Sequence, residues 1–132
     1  MDLNAFMQSY ADEIGGEYSE YDSKTSIIIV PLSDERFQTV LGKLKYSPRF
    51  DRLSIEFVSK VCQLEEKMDL RGLLEENSNL VHSRFVISDN YINVEASNFV
   101  DSATEEILKE IIQEVANVAD EYEYKLTGED VH

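Results

Sequence analysis

Apolar residues recur along the chain with two periods. Leu3, Phe6, Met7, Tyr10, Ala11 and Ile14 sit three or four residues apart, so one apolar stripe predicts an amphipathic helix. Gly15-Gly16 stops it, because glycine supplies the left-handed cap. Tyr18 and Tyr21 follow among acids, in a short extended or loop segment. The pattern then turns strand-like. Residues 26–32 are rich in β-branched side chains, and Ile27, Ile28, Ile29 and Val30 make both faces apolar, which predicts a strand covered on both sides. Ser33-Asp34-Glu35 reads as a turn. A second strand spans 36–46, with Gly42 at a bulge, and Ser47-Pro48 ends it. In the third, 52–64, Leu53, Ile55, Phe57 and Val61 share one face; Ser54, Glu56, Val58, Lys60 and Cys62 share the other. Short turns between such strands imply an antiparallel meander.

A short helix is expected over 68–77, with Leu70, Leu73 and Leu74 as its buried side. Residues 82–88 and 91–97 form a hairpin across Asp89-Asn90, since Asx residues tolerate the positive φ of a tight turn. The last helix is predicted to start at Ser102, which pairs with Glu105 as a capping box. Glu105 and Glu106 suit its positive N-terminal end. Leu108, Ile111, Ile112, Val115, Val118, Ala119 and Tyr122 line one face to about Leu126, and the tail 127–132 is expected to fray. The order helix, three strands, helix, two strands, helix predicts an α+β fold. An antiparallel sheet of about five strands is covered on one face by the terminal helices, in a single domain over 1–126.

Charge narrows the function classes. The chain of 132 residues has a net charge of −15, and 42% of it is hydrophobic. Residues 1–35 carry −7, 36–71 carry +3, and 72–132 carry −11. So negative a field opposes nucleic acid and anionic membrane, and favours basic or amphipathic partners. The longest strongly apolar run, 27–32, contains Pro31 and is far short of a membrane span. The first basic residue is Lys24, which argues against a secretory leader. A lone Cys62 leaves no internal disulfide and points to a reducing, cytoplasmic setting.

With this element order, three local stretches resemble the type III secretion chaperone-like superfamily, including its YbjN-like branch. They are Leu73-Leu74-Glu75-Glu76-Asn77 closing the middle helix, Arg84-Phe85-Val86-Ile87 paired with Ile92-Asn93-Val94-Glu95, and the long helix ending near Glu121-Tyr122. The resemblance runs from about residue 1 to 126. It implies a bacterial homodimer that holds a client segment in extended form along its surface.

Catalytic equipment is sparse. Of the two histidines, His82 begins a strand and His132 is the last residue. There is no Gly-x-Ser-x-Gly elbow, no phosphate loop, and no Cys-x-x-Cys or His-x-x-x-His pair. Cys62 reads as a packed small apolar residue, and Glu17, Glu20 and Asp22 as a flexible acidic loop rather than a cation site. No catalytic residue, metal or cofactor is therefore assigned, and the chain is read as a non-enzyme. The basic segment Lys43, Lys45, Arg49 and Arg52, interleaved with Tyr46 and Phe50, is assigned to contact with an acidic partner, including another copy of the chain. The surplus apolar residues Val40, Val58 and Cys62, joined by Ile28 and Val30 in one register, are assigned to a half-exposed sheet face that receives a partner. The reading is a dimeric, chaperone-like protein-binding module; the alternative is a small-ligand-binding or regulatory domain on the same scaffold.

Overall fold

The computed structural model describes residues 2–128. It is an α+β fold whose elements, in chain order, are α1 (Leu3–Ile14), β1 (Glu17–Asp22), β2 (Thr25–Pro31), β3 (Phe37–Ser47), β4 (Arg52–Gln63), α2 (Leu70–Glu76), β5 (Arg84–Ser88), β6 (Tyr91–Phe99) and α3 (Glu105–Thr127). The six strands form one antiparallel sheet in the order β1-β2-β3-β4-β6-β5. The sixth strand is β1, expected only as an extended or loop segment. It pairs with β2 from Glu17 opposite Ile29 to Asp22 opposite Thr25.

Helices α1 and α3 lie on the same sheet face. α1 packs over β1, β2 and β3, and α3 over β3, β4 and β6. Gln113 of α3 donates to the Tyr10 hydroxyl of α1 at 2.9 Å, and Lys109 meets Glu13 at 2.8 Å. The expected stripes supply the core: Leu3, Phe6, Met7, Tyr10 and Ala11 from α1, and Leu108, Ile111, Ile112, Val115, Ala116 and Ala119 from α3 are buried. Asp2 caps α1 by accepting from the Ala5 N–H, and Gly15 closes it at φ 71°.

Several local expectations are corrected. Gly42 sits in continuous register, opposite Ser26 and Phe57, with no bulge. Its role is space: a Cβ there would lie 3.0 Å from Met7 Cε and 3.1 Å from Phe57 Cε1, so glycine lets α1 approach the sheet. The bulges fall in β1 between Glu20 and Asp22 and in β4 between Lys60 and Cys62. The second turns both Val61 and Cys62 into the core, which breaks the predicted alternation. β2 is covered on one side only, with Ile28 and Val30 buried and Ile27 and Ile29 half-buried. In α2 only Leu73 is buried, while Leu70 and Leu74 are exposed. α3 is capped two residues late. Thr104, not Ser102, is its cap and accepts from the Ile107 N–H at 3.2 Å, because a 3-10 turn over Val100–Ser102 intervenes. The Asp89-Asn90 hairpin is as expected, with φ 51° and 62°. Of the expected tail, Thr127 ends α3 and Gly128 caps it at φ 76°; residues 129–132 lie outside the described residues.

Two side-chain clamps fix the β5 edge. Asn77 accepts from the Phe85 N–H at 2.7 Å and donates to the Phe85 carbonyl at 3.4 Å, so its amide acts as a neighbouring strand would. Glu114 of α3 accepts from the N–H groups of Val81, His82 and Ser83 and from the Ser83 hydroxyl. Burial alone would raise its pKa, but these four donors together hold the carboxyl below its usual range.

Candidate binding face

The sheet face away from α1 and α3 is built by strand parity. Ser19, Ile27, Leu41, Val58, Glu95 and Arg84 form one row across all six strands. On one side lies the row Thr25, Lys43, Glu56 and Ser97; on the other lie Glu17, Ile29 and Thr39, then Lys60, Asn93 and Val86. These rows border a hollow of about 590 Å³, with Ile27, Leu41 and Val58 as its apolar floor and Tyr91 and Asp89 at the hairpin end. The aliphatic residues are half-buried, though no helix among the described residues lies over them.

Charges around the floor are mostly paired. Glu56 sits between Lys43 at 3.3 Å and Lys45 at 3.6 Å, and Glu95 meets Arg84 at 3.1 Å. Lys60 differs. Its ammonium lies 4.8 Å from the centroid of the Tyr91 ring, and it has no carboxylate partner among the described residues. Its cross-strand neighbour, Asn93, is 5% exposed and makes no side-chain hydrogen bond among the described residues.

The residues assigned to this face from sequence are mostly elsewhere. Val40, Ile28, Val30 and Cys62 are buried under the helices, so only Val58 belongs to the open face. Parity explains the error. Lys43 and Lys45 share a face with Leu41, which sends Val40 to the opposite one. Cys62 is turned inward by the bulge. Burial, with Glu65 and Glu123 nearby, pushes its thiol up, so it is a poor nucleophile at neutral pH.

The basic segment is likewise engaged within the chain. Lys43 and Lys45 hold Glu56, while Arg52 pairs with Asp101 (Nε 3.2 Å) and lies 3.7 Å from the centroid of the Phe99 ring. Arg49 is exposed in the turn after β3 and has no ion pair among the described residues. Among the described residues, no three His, Cys, Asp or Glu side chains gather as a metal donor set, and no helix is long and apolar enough to cross a membrane. Ile27, Leu41, Lys60 and Asn93 were missed as site residues. Parity with Lys43 and Glu56 was the available signal for Leu41, but nothing local marked Asn93.

No protein-family model matches the chain, and no curated protein matches its sequence.

Proposed function

We propose that the protein is a non-catalytic, chaperone-like binding module that holds a segment of a partner polypeptide on the open sheet face. The carrying observation is the asymmetry of the sheet. One face is sealed by two helices, whereas the other presents Ile27, Leu41 and Val58 in register with no element among the described residues above them. A strand-lined apolar floor rimmed by charges suits a segment with apolar and polar positions interleaved. The resemblance to secretion chaperones agrees with this use and with a cytoplasmic homodimer. Exposed Leu70, Leu74, Val81 and Ile87 support self-association along α2 and β5. The size of the hollow favours a second reading, a small-ligand or regulatory domain.

The test is a photo-crosslinking residue at Val58, with one at exposed Asn117 of α3 as control, introduced in the native host. One polypeptide captured from position 58 and not from 117, through a contiguous segment, is the expected result. No capture, together with a thermal shift from a metabolite panel, would replace the reading with the small-ligand one. Light scattering on the same preparation should give twice the chain mass; a single-chain mass would remove the dimer.

A further inference from the structure

Charge on the open face narrows the choice of occupant more than shape does. In a chain of net charge −15, cations find carboxylates easily, and Lys43, Lys45 and Arg84 all do so on this face. Lys60 does not, although it lines the same hollow. Opposite it on β6 is Asn93, more than nine-tenths buried, its side-chain amide without a hydrogen bond among the described residues. Both groups open onto the hollow: Lys60 is exposed, and the amide of Asn93, though the residue is mostly buried, is not sealed from solvent. One group that supplies a negative charge and an acceptor at that spot engages both at once. The Val58 side chain is two residues from Lys60 on the same strand and face, so that group must sit next to an apolar one.

Resting on the polypeptide-binding reading, we propose that Lys60 and Asn93 form a carboxylate subsite, and that the occupant of the open face is a polypeptide segment placing a Glu or Asp side chain there. Its neighbouring aliphatic side chains rest on Ile27, Leu41 and Val58. The carboxylate accepts from the Lys60 ammonium and the Asn93 amide together. A lysine at the same position of the segment is rejected, because it would face Lys60 and leave Asn93 with only its carbonyl to offer.

The probes are three peptides of about ten residues, long enough to cross the sheet, capped at both ends, in which Val alternates with Ser and the central polar position is Glu, Gln or Lys. Capping removes the terminal carboxylate, so only the side chain can fill the subsite. Fluorescence anisotropy with the full chain should rank Glu above Gln above Lys, with about tenfold between the first and last, narrowing as salt rises. Lys60→Gln is a surface change that leaves the fold intact, and it should erase the Glu preference while the peptides still bind. Lys60→Glu should invert it, and Asn93→Ala should weaken the Glu peptide alone. Equal binding of the Glu and Lys peptides, or a preference that survives Lys60→Gln, overturns the subsite and leaves the polypeptide reading standing. No binding by any peptide, or binding unchanged by Val58→Asp, overturns both.

Discussion

Phe57 and Val58 are neighbours in the chain and face opposite ways. Phe57 is fully buried under the helices, in the row with Gly42 and Ala96, and Val58 lies half-buried in the open hollow between Leu41 and Glu95. The covered face is nearly all aliphatic. Its buried polar side chains, Ser26, Gln38 and Ser59, are uncharged, and Gln38 donates to the Ser59 hydroxyl at 3.0 Å and the Lys60 carbonyl at 2.9 Å. The open face also has aliphatic side chains at its centre but adds Lys43, Glu56, Lys60 and Glu95. The buried sheet side chains beneath the helices carry no charge, although α3 itself buries Asp120 and Glu123. Apolar content alone therefore does not separate the two faces of the sheet; the charge carried by its buried and half-buried strand residues does.

The largest effect should come from placing a charge on each face in turn. Val40→Asp puts a carboxylate in the core with no partner, and should cost more than about 4 kcal/mol, enough to unfold the chain. Val58→Asp should cost within about 1 kcal/mol and leave the far-ultraviolet spectrum unchanged. Urea titrations of both variants measure the contrast, and similar losses would show that the two faces are equally buried in solution.

A middle-sized effect concerns what pins the covering layer to β5. The Glu114 carboxyl titrates below its ordinary range when folded, so the stabilisation it gives is present above its unfolded value and is lost as pH falls through the folded one. Glu114→Gln should cost about 1–2 kcal/mol at neutral pH, at the lower end because partial exposure screens the site. At acid pH, where the native carboxyl is protonated, the two proteins should converge. Amide exchange at Val81, His82 and Ser83 should quicken in step; an unchanged loop would mean that Glu114 does not hold it.

The smallest expected effect is at the α1 contact. Gly42→Ala presses a methyl group against Met7 and Phe57, whose flexible ends can yield, and a strand alanine recovers part of the loss. A net cost of about 1 kcal/mol should appear as a lower melting temperature. A stabilised variant would show slack between α1 and the sheet.

The hydropathy pattern reached the α+β class and the order of elements, because helical and strand periods are local properties of the chain. It also reached the α1 stripe and most of the α3 stripe, the Gly15 cap and the Asp89-Asn90 turn, each set by residues within a few positions of one another. β1 was illegible as a strand, since Glu17, Glu20 and Asp22 are poor strand formers and only pairing with β2 holds them extended. The α3 start was misplaced because two hydroxyl residues compete there, and the 3-10 turn before Thr104 decides between them.

For the candidate site, Glu56, Val58 and Lys60 were assigned to one strand face by alternation alone, and the structure keeps them there. Which face the helices cover, and that Cys62 leaves the outer set, depended on packing and on one extra residue in β4. Sequence by itself determines what each side chain can do and which neighbours share its parity, because those follow from the geometry of a few consecutive residues. Tertiary structure alone sets Asn93 beside Lys60, since that pairing joins residues 33 apart in the chain through sheet register.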